Sequence, residues 1–190
     1  MDKCAQSKPA TYDACIREPL IAWLKGQHPD DGSTGLIQEL KMPRPSARID
    51  LAVVNGELAG FEIKSDADTL KRLRMQVPAF SRFFDRVSVV TTRKHLCETE
   101  RCVPYWWGII LYQGDDEFHV RRRARRNRRI DVQALLYALS KREIAELASR
   151  ACSPIPKGKK GAMVEAVASS VPHRAICDHA RDIIRLRGET

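Results

Sequence analysis

From Arg48 to Lys64 the chain is two runs of mainly aliphatic side chains on either side of Asn55-Gly56. Each run alternates with the period of a β-strand, and Asn-Gly marks the turn of a hairpin. Elsewhere the period changes. Tyr12, Cys15, Ile16, Leu20, Ile21 and Leu24 recur at helical spacing and predict a helix over 11–25, kinked or restarted at Pro19. Strands are expected at 35–41, 86–92, 106–112 and 117–121, a helix from about Asp68 interrupted by Pro78, and a short helix over 93–101. Beyond residue 122 the pattern is helical throughout. IDVQALLYAL is amphipathic, Ser140 and Glu143 form a capping box, PIPKGKKG at 154–161 is a basic loop, and two more helical runs close the chain. The fold class is therefore α/β, with a core of strands and flanking helices over 1–121 and an all-helical basic module over 122–190.

The hairpin contains three ionic residues that the aliphatic pattern does not explain: Asp50, Glu62 and Lys64. Charges are costly to bury unless they are paired or bind a metal. A two-residue turn would mix charge and oil on both faces. A three-residue loop with Gly56 in the left-handed region sorts them instead. One face then carries Ile49, Leu51, Val53, Ala59, Phe61 and Ile63, and the other Asp50, Ala52, Val54, Leu58, Gly60, Glu62 and Lys64. In that register Asp50 and Glu62 are neighbours on adjacent strands. Two carboxylates about 4 Å apart repel by about 4 kcal/mol at an effective dielectric near 20. A proton, a lysine or a divalent cation must offset this, and two hard oxygen ligands suit Mg²⁺ or Mn²⁺. Lys64, two residues after Glu62, shares its strand face and can hold or help deprotonate a water that attacks a phosphodiester. The plainer alternative is a solvated strand face with cross-strand ion pairs. Gly60 and Ala52, which keep that face open for close approach of a ligand, argue against it. Asp66 and Asp68 are expected to serve the N-terminus of the following helix rather than a metal.

The arrangement D-x(n)-E-x-K after a hairpin, in RIDLAVVNGELAGFEIK, resembles the PD-(D/E)xK nuclease superfamily, over about residues 12–120. The whole pattern is also similar to a group of small bacterial and prophage proteins, mostly uncharacterised, that carry this core. The resemblance implies a restriction-endonuclease-like core and a Mg²⁺-dependent (or Mn²⁺-dependent) deoxyribonuclease. Asp50 and Glu62 would hold the metal, Lys64 would position the water, and Glu18 of the leading helix would complete the site, with Glu39 as the competing candidate. Gln76 and Phe80, in QVPAF, resemble the Q-x-x-x-Y element of the RecB-like and lambda-exonuclease-like branches, with Phe in place of Tyr. The proline that often precedes the first aspartate is absent, since ARID stands there.

Composition adds the partner. The chain has 190 residues, 43% hydrophobic, with 33 Lys+Arg against 24 Asp+Glu and a net charge of +9, so a packed core and a polyanionic partner are both expected. RRRARRNRR at 121–129 holds seven arginines in nine residues, Arg121, Arg122, Arg123, Arg125, Arg126, Arg128 and Arg129. Such a run repels itself unless something anionic is near. With Lys71, Arg72 and Gln76 these are the candidate contacts to DNA; RNA is not excluded. LSKREIAELA followed by KGKKGAMVEAVA resembles, loosely, short helix–loop–helix DNA-binding modules of the SAP kind. Trp106 and Trp107 are expected to pack in the core, at least one of them. The N-terminus has no signal-peptide core and the longest apolar-rich run, 103–112, is too short to span a bilayer, so a cytoplasmic protein without membrane contact is expected. The scattered cysteines read as reduced thiols, and His95, Cys97 and Cys102 lack a fourth zinc ligand at familiar spacing. No Ser/His/Asp or Cys/His constellation and no Gly-rich phosphate loop is present. The pattern leaves open whether a homodimer forms, and whether cleavage would be exo- or endonucleolytic.

Overall fold

A computed structural model of the protein describes residues 11–28, 32–154 and 158–188; part of the expected basic loop, 155–157, lies outside them. The chain runs α1 (Asp13–Lys25), β1 (Gly35–Pro43), β2 (Ser46–Asn55), β3 (Glu57–Lys64), α2 (Lys71–Phe83), β4 (Arg86–Thr91), α3 (Leu96–Cys102), β5 (Gly108–Gly114), β6 (Glu117–Arg122), α4 (Val132–Ala138), α5 (Lys141–Arg150), α6 (Lys160–Ser170) and α7 (His173–Leu186). The six strands form one mixed sheet in the order β1-β2-β3-β4-β5-β6. β1, β2 and β3 make an antiparallel meander, β3, β4 and β5 are parallel, and β6 returns antiparallel at the edge.

Both faces of the sheet are covered, as parallel strands require. α1 lays Ile16, Leu20 and Leu24 on Leu51, Val53, Phe61, Ile63, Val90 and Ile110. The opposite face packs on α2 and on the helices after residue 122, in one continuous apolar cluster that runs from Leu40, Ala52, Val54 and Leu58 through Phe80 and Trp107 to Leu136, Val164 and Ile184. The expected boundary near residue 122 thus marks where strands give way to helices, but residues on the two sides of it share one core. Pro19 and Pro78 lie inside continuous helices rather than breaking them. The carbonyls they leave without an amide belong to Cys15 and Arg74, both exposed, so water can satisfy them. The expected strand at 106–112 begins only at Gly108, because Trp107 N donates to Pro104 O (3.0 Å) and closes a turn first. The capping box is present: Glu143 N donates to Ser140 Oγ at 3.2 Å and Ser140 N to Glu143 Oε2 at 2.6 Å.

The hairpin has the register that face sorting selects. Val54 faces Leu58, Asn55 faces Glu57, and Gly56 between them has φ +65°. Two details differ. The face that carries the charges is not open: Ala52, Val54 and Leu58 near the turn are buried, and the ionic residues lie at its far end. Ile49 does not join Leu51 and Val53; it packs on the α2 side, so a Cβ on Gly60 would lie 2.4 Å from Ile49 Cδ1. The space beside Gly60 is therefore filled by Ile49 and Phe84 and is not an opening for a ligand. The cause is local. Ladder pairing between β2 and β3 ends at Leu51–Phe61, and opposite Asp50 the β1 residue Glu39 has φ +53°. With the ladder interrupted on both sides, β2 loses its strict alternation at Asp50.

The helices after residue 122 are locked to the sheet by a buried ion pair. Asp85, 2% exposed, accepts Arg181 Nε at 2.9 Å and Nη2 at 2.7 Å, and also the Leu58 amide at 2.7 Å. Removing one partner of such a pair strands a buried charge and costs about 3–5 kcal/mol. Arg181→Ala should lower the melting temperature by roughly 10 °C. Arg142→Ala, which breaks only an exposed helix-surface pair with Glu146, should leave it nearly unchanged. Calorimetric melts that place both variants together would remove this role from Asp85.

Candidate functional site

The ionic residues collect where β3 ends, at the carboxyl edge of the parallel strands. Glu62 and Lys64, each 2% exposed, are joined by Lys64 Nζ donating to Glu62 Oε1 at 2.6 Å. They share one side of the strand because they are two residues apart. From the first half of α2, Gln76 Nε2 donates to the same Glu62 oxygen at 2.8 Å. Asp50 stands at the edge of this cluster. Its Oδ2 accepts the Ile63 amide at 2.7 Å, which replaces the missing ladder bond, and its Oδ1 accepts Arg17 Nη2 at 3.2 Å.

Arg17 is the residue that sequence reasoning missed. It also chelates Asp13, at 2.8 and 3.1 Å, and donates to the Asp50 carbonyl at 3.2 Å. The helical periodicity already contained this. Ile16 faces the core, so Arg17, one residue on, borders it, whereas Glu18 lies about 200° round the helix. Glu18 is accordingly exposed on α1 and Arg17 takes the place beside Asp50. Glu39 is also exposed and pairs with Arg48 at 3.0 Å. Asp66 accepts Thr11 N (3.0 Å) and Thr92 Oγ1 (2.5 Å), and Asp68 accepts the Ser65 amide and hydroxyl; both fix the loop before α2 rather than cap it. Phe80 is fully buried against Trp107 and Phe84. Lys71, Arg72 and Arg74 lie on the exposed face of α2, Arg74 near Glu98 at 3.7 Å.

Burial dominates the electrostatics of Glu62. It raises the carboxyl from its ordinary 4.5 to about 7; the Lys64 ammonium pulls it down and the Asp50 charge pushes it up. Two oxygens of the cluster, Glu62 Oε2 and Gln76 Oε1, are buried without a hydrogen-bond partner. Unsatisfied buried acceptors are uncommon and are met by a bound water, a proton or a cation. Among the described residues no three His, Cys, Asp or Glu side chains come together to hold a metal. The donors present are two carboxylates and one amide oxygen, all hard. That set fits Mg²⁺, which is commonly held by one or two carboxylates and completes its shell with water and substrate oxygens.

The arginine run is an extended strap between β6 and α4. Arg122 Nε donates to Trp107 O at 2.7 Å and its Nη2 to Pro104 O at 3.2 Å. The Arg125 amide donates to Trp106 O at 2.8 Å, and Asn127 donates to Asp85 O, Ser81 O and Phe84 O at 2.7, 2.7 and 3.0 Å. Arg121 pairs with Glu100 (3.2 Å) and Arg126 with Glu57 (3.3 Å). Arg123, Arg125, Arg128 and Arg129 are exposed and have no acidic partner among the described residues.

Fold and site together define a mixed α/β protein with a buried carboxylate–lysine cluster at the carboxyl end of a parallel strand and a cationic strap over its far edge. The chain belongs to the bacteriophage P4 protein cII family, whose family model matches residues 7–190. Protein cII of Enterobacteria phage P4 is 34% identical over 137 residues, which cover 70% of this chain and 51% of that protein; the chain thus spans about half the length of this curated relative. A solved structure with similarity is the SPO1766 protein of unknown function from Silicibacter pomeroyi, with a TM-score of 0.44 and 14% identity over 93% of this chain and 91% of that one. Among the described residues no helix is long and apolar enough to cross a membrane.

The raised Glu62 value has a consequence for stability. Between pH 4.5 and about 7 the folded chain holds a proton that the unfolded chain has released. The contribution of the protonated carboxyl is full below 4.5 and is lost as pH rises through about 7. In metal-free buffer, denaturant titrations should show wild type losing on the order of 3 kcal/mol relative to Glu62→Gln across this window. Parallel pH profiles for the two proteins would mean that Glu62 ionises normally.

Proposed function

We propose that this chain is a metal-dependent nuclease of the PD-(D/E)xK kind that hydrolyses DNA phosphodiesters. The observation that carries the reading is the Glu62–Lys64 pair at the end of β3, with Gln76 on Glu62 and Asp50 beside it. The antiparallel meander that leads into α2 and a parallel β4 supports a restriction-endonuclease-like core around it. A divalent cation bound there would polarise a phosphoryl oxygen and offset the charge that develops on it. Asp50 and Glu62 would be its protein ligands, with Gln76 Oε1, buried without a hydrogen-bond partner, as a further neutral oxygen. Lys64 holds a proton against Glu62 and is positioned to orient the attacking water. Arg17 holds Asp50 in place, and its charge offsets part of the repulsion between the two carboxylates. The unpaired arginines of the strap supply cations for the polyanionic backbone.

A second reading has its own support. Glu62 and Lys64 are almost fully buried, and Arg17 with Lys64 balances Asp50 with Glu62 inside the protein. A scaffold that binds DNA without cutting it would also keep such a pair.

One experiment separates them. Labelled single-stranded, duplex and branched DNA and the matching RNAs are incubated with the protein in Mg²⁺, Mn²⁺ or EDTA. Cleavage is expected with either cation and not in EDTA, and Lys64→Ala should lower it at least about a hundredfold. Binding without cleavage of any substrate favours the scaffold, and cleavage undiminished in EDTA defeats the metal site. Binding has a separate test. Log affinity falls by about 0.9 per duplex phosphate contact for each decade of salt. Replacing Arg123, Arg125, Arg128 and Arg129 by Gln should therefore flatten the slope by up to about 3.6. An unchanged slope assigns these arginines to another role.

A further inference from the structure

Tyr105 is the most exposed large hydrophobic side chain among the described residues, at 76%, yet its neighbours Val103 and Trp107 are buried at 7% and 0%. The turn that carries it is held from several directions. Trp107 Nε1 donates to Ser81 Oγ at 3.2 Å, and Trp107 N closes the turn on Pro104 O. The strap takes the carbonyls of Pro104, Trp106 and Trp107 through the Arg122 side chain and the Arg125 amide. A flat ring is thus presented to solvent from a fixed backbone, where little ordering remains to oppose binding.

Its surroundings are cationic. Arg122 and Ala124 point inward, and Arg121, Arg123 and Arg125 outward, as alternation along an extended strap requires. Arg101, at the end of α3, is exposed as well. The two carboxylates on this flank, Glu100 and Glu98, are engaged by Arg121 and Arg74. An exposed aromatic ring on a turn bonded to the strap that carries Arg123 and Arg125, both exposed and without an acidic partner among the described residues, matches what single-stranded nucleic acid offers: an unpaired base to stack and a phosphate backbone to neutralise. In a duplex the bases already stack on one another, and only the phosphates would meet this surface.

We propose that Tyr105, on its arginine-braced turn, is a stacking platform for an unpaired base of single-stranded nucleic acid. The proposal rests on the nucleic-acid reading above and names its substrate class. Tyr105 lies near the start of β5 and Lys64 at the end of β3, so the platform and the charged cluster sit toward opposite ends of the parallel strands.

The test is binding without cleavage. The full chain is titrated in EDTA against fluorescent oligothymidylate, oligouridylate of equal length, and a duplex. Loss of one stacked base should weaken single-strand binding roughly tenfold in Tyr105→Ala. Tyr105→Phe should remain within about threefold of wild type, and duplex binding by Tyr105→Ala within about twofold. A loss confined to the DNA or to the RNA strand supports the platform and identifies the strand. Wild-type single-strand affinity in Tyr105→Ala overturns the proposal, as does an equal loss on duplex. Because no cation is present, a failed nuclease assay leaves this result standing, and a failed stacking test leaves the cleavage result standing.

Discussion

Asp85 is the constraint on which much of the architecture depends. Its side chain takes the Leu58 amide and the Arg181 fork, its own amide donates to Leu58 O at 2.9 Å, and its carbonyl takes the Asn127 amide. The start of β3, the start of β4, the strap and α7 therefore converge on one residue. A carboxylate this deeply buried is tolerable only with good partners on both oxygens, and here each oxygen has an arginine nitrogen. The bidentate geometry fixes α7 in angle as well as in distance. This is why the helices after residue 122 behave as the second layer of the fold and not as an appendage to it.

At the other end of β3 the same physics gives a less settled result. Glu62 has the Lys64 ammonium and the Gln76 amide on one oxygen and nothing on the other. Burial without full compensation is what drives its carboxyl toward neutrality. Asp50, more exposed, has Arg17 and a backbone amide instead. The two carboxylates thus have different environments although they are neighbours, one held by an arginine and a backbone amide, the other buried and raised toward neutrality. Lys64 and Gln76 offset part of the cost of burying Glu62, and the rest of that cost is what raises its carboxyl.

Much of this was legible in the residues, and the misses have a common cause. The register of the hairpin followed from which pairing segregates oil from charge, and Gly56 at positive φ followed from the register. The cluster of Asp50, Glu62 and Lys64 was found because three charges in aliphatic strands need a reason. Ile49 was misplaced because alternation was extended past the point where Asp50 breaks it. Glu18 was chosen on resemblance, when the helical phase already placed Arg17 nearer the sheet. Arg181 could not have been paired with Asp85 at all, since 96 residues separate them and nothing local marks either.

The arginine run shows how one composition can meet two demands. Read as a string of like charges it suggests a flexible, solvated linker, and the structure is otherwise. Arg122 is drawn inward, where two nitrogens of its planar guanidinium reach two carbonyls, of Pro104 and Trp107. Ala124 is small enough to sit inward at the next alternate position, and Asn127 returns the strap to the backbone of α2 and β4. Each inward residue fixes the residues beside it facing outward. The exposed guanidinium groups are consequently held on a rigid track rather than on a tail, so an anion meeting them need not first order the chain that carries them. The inward members supply the rigidity and the outward members supply the charge.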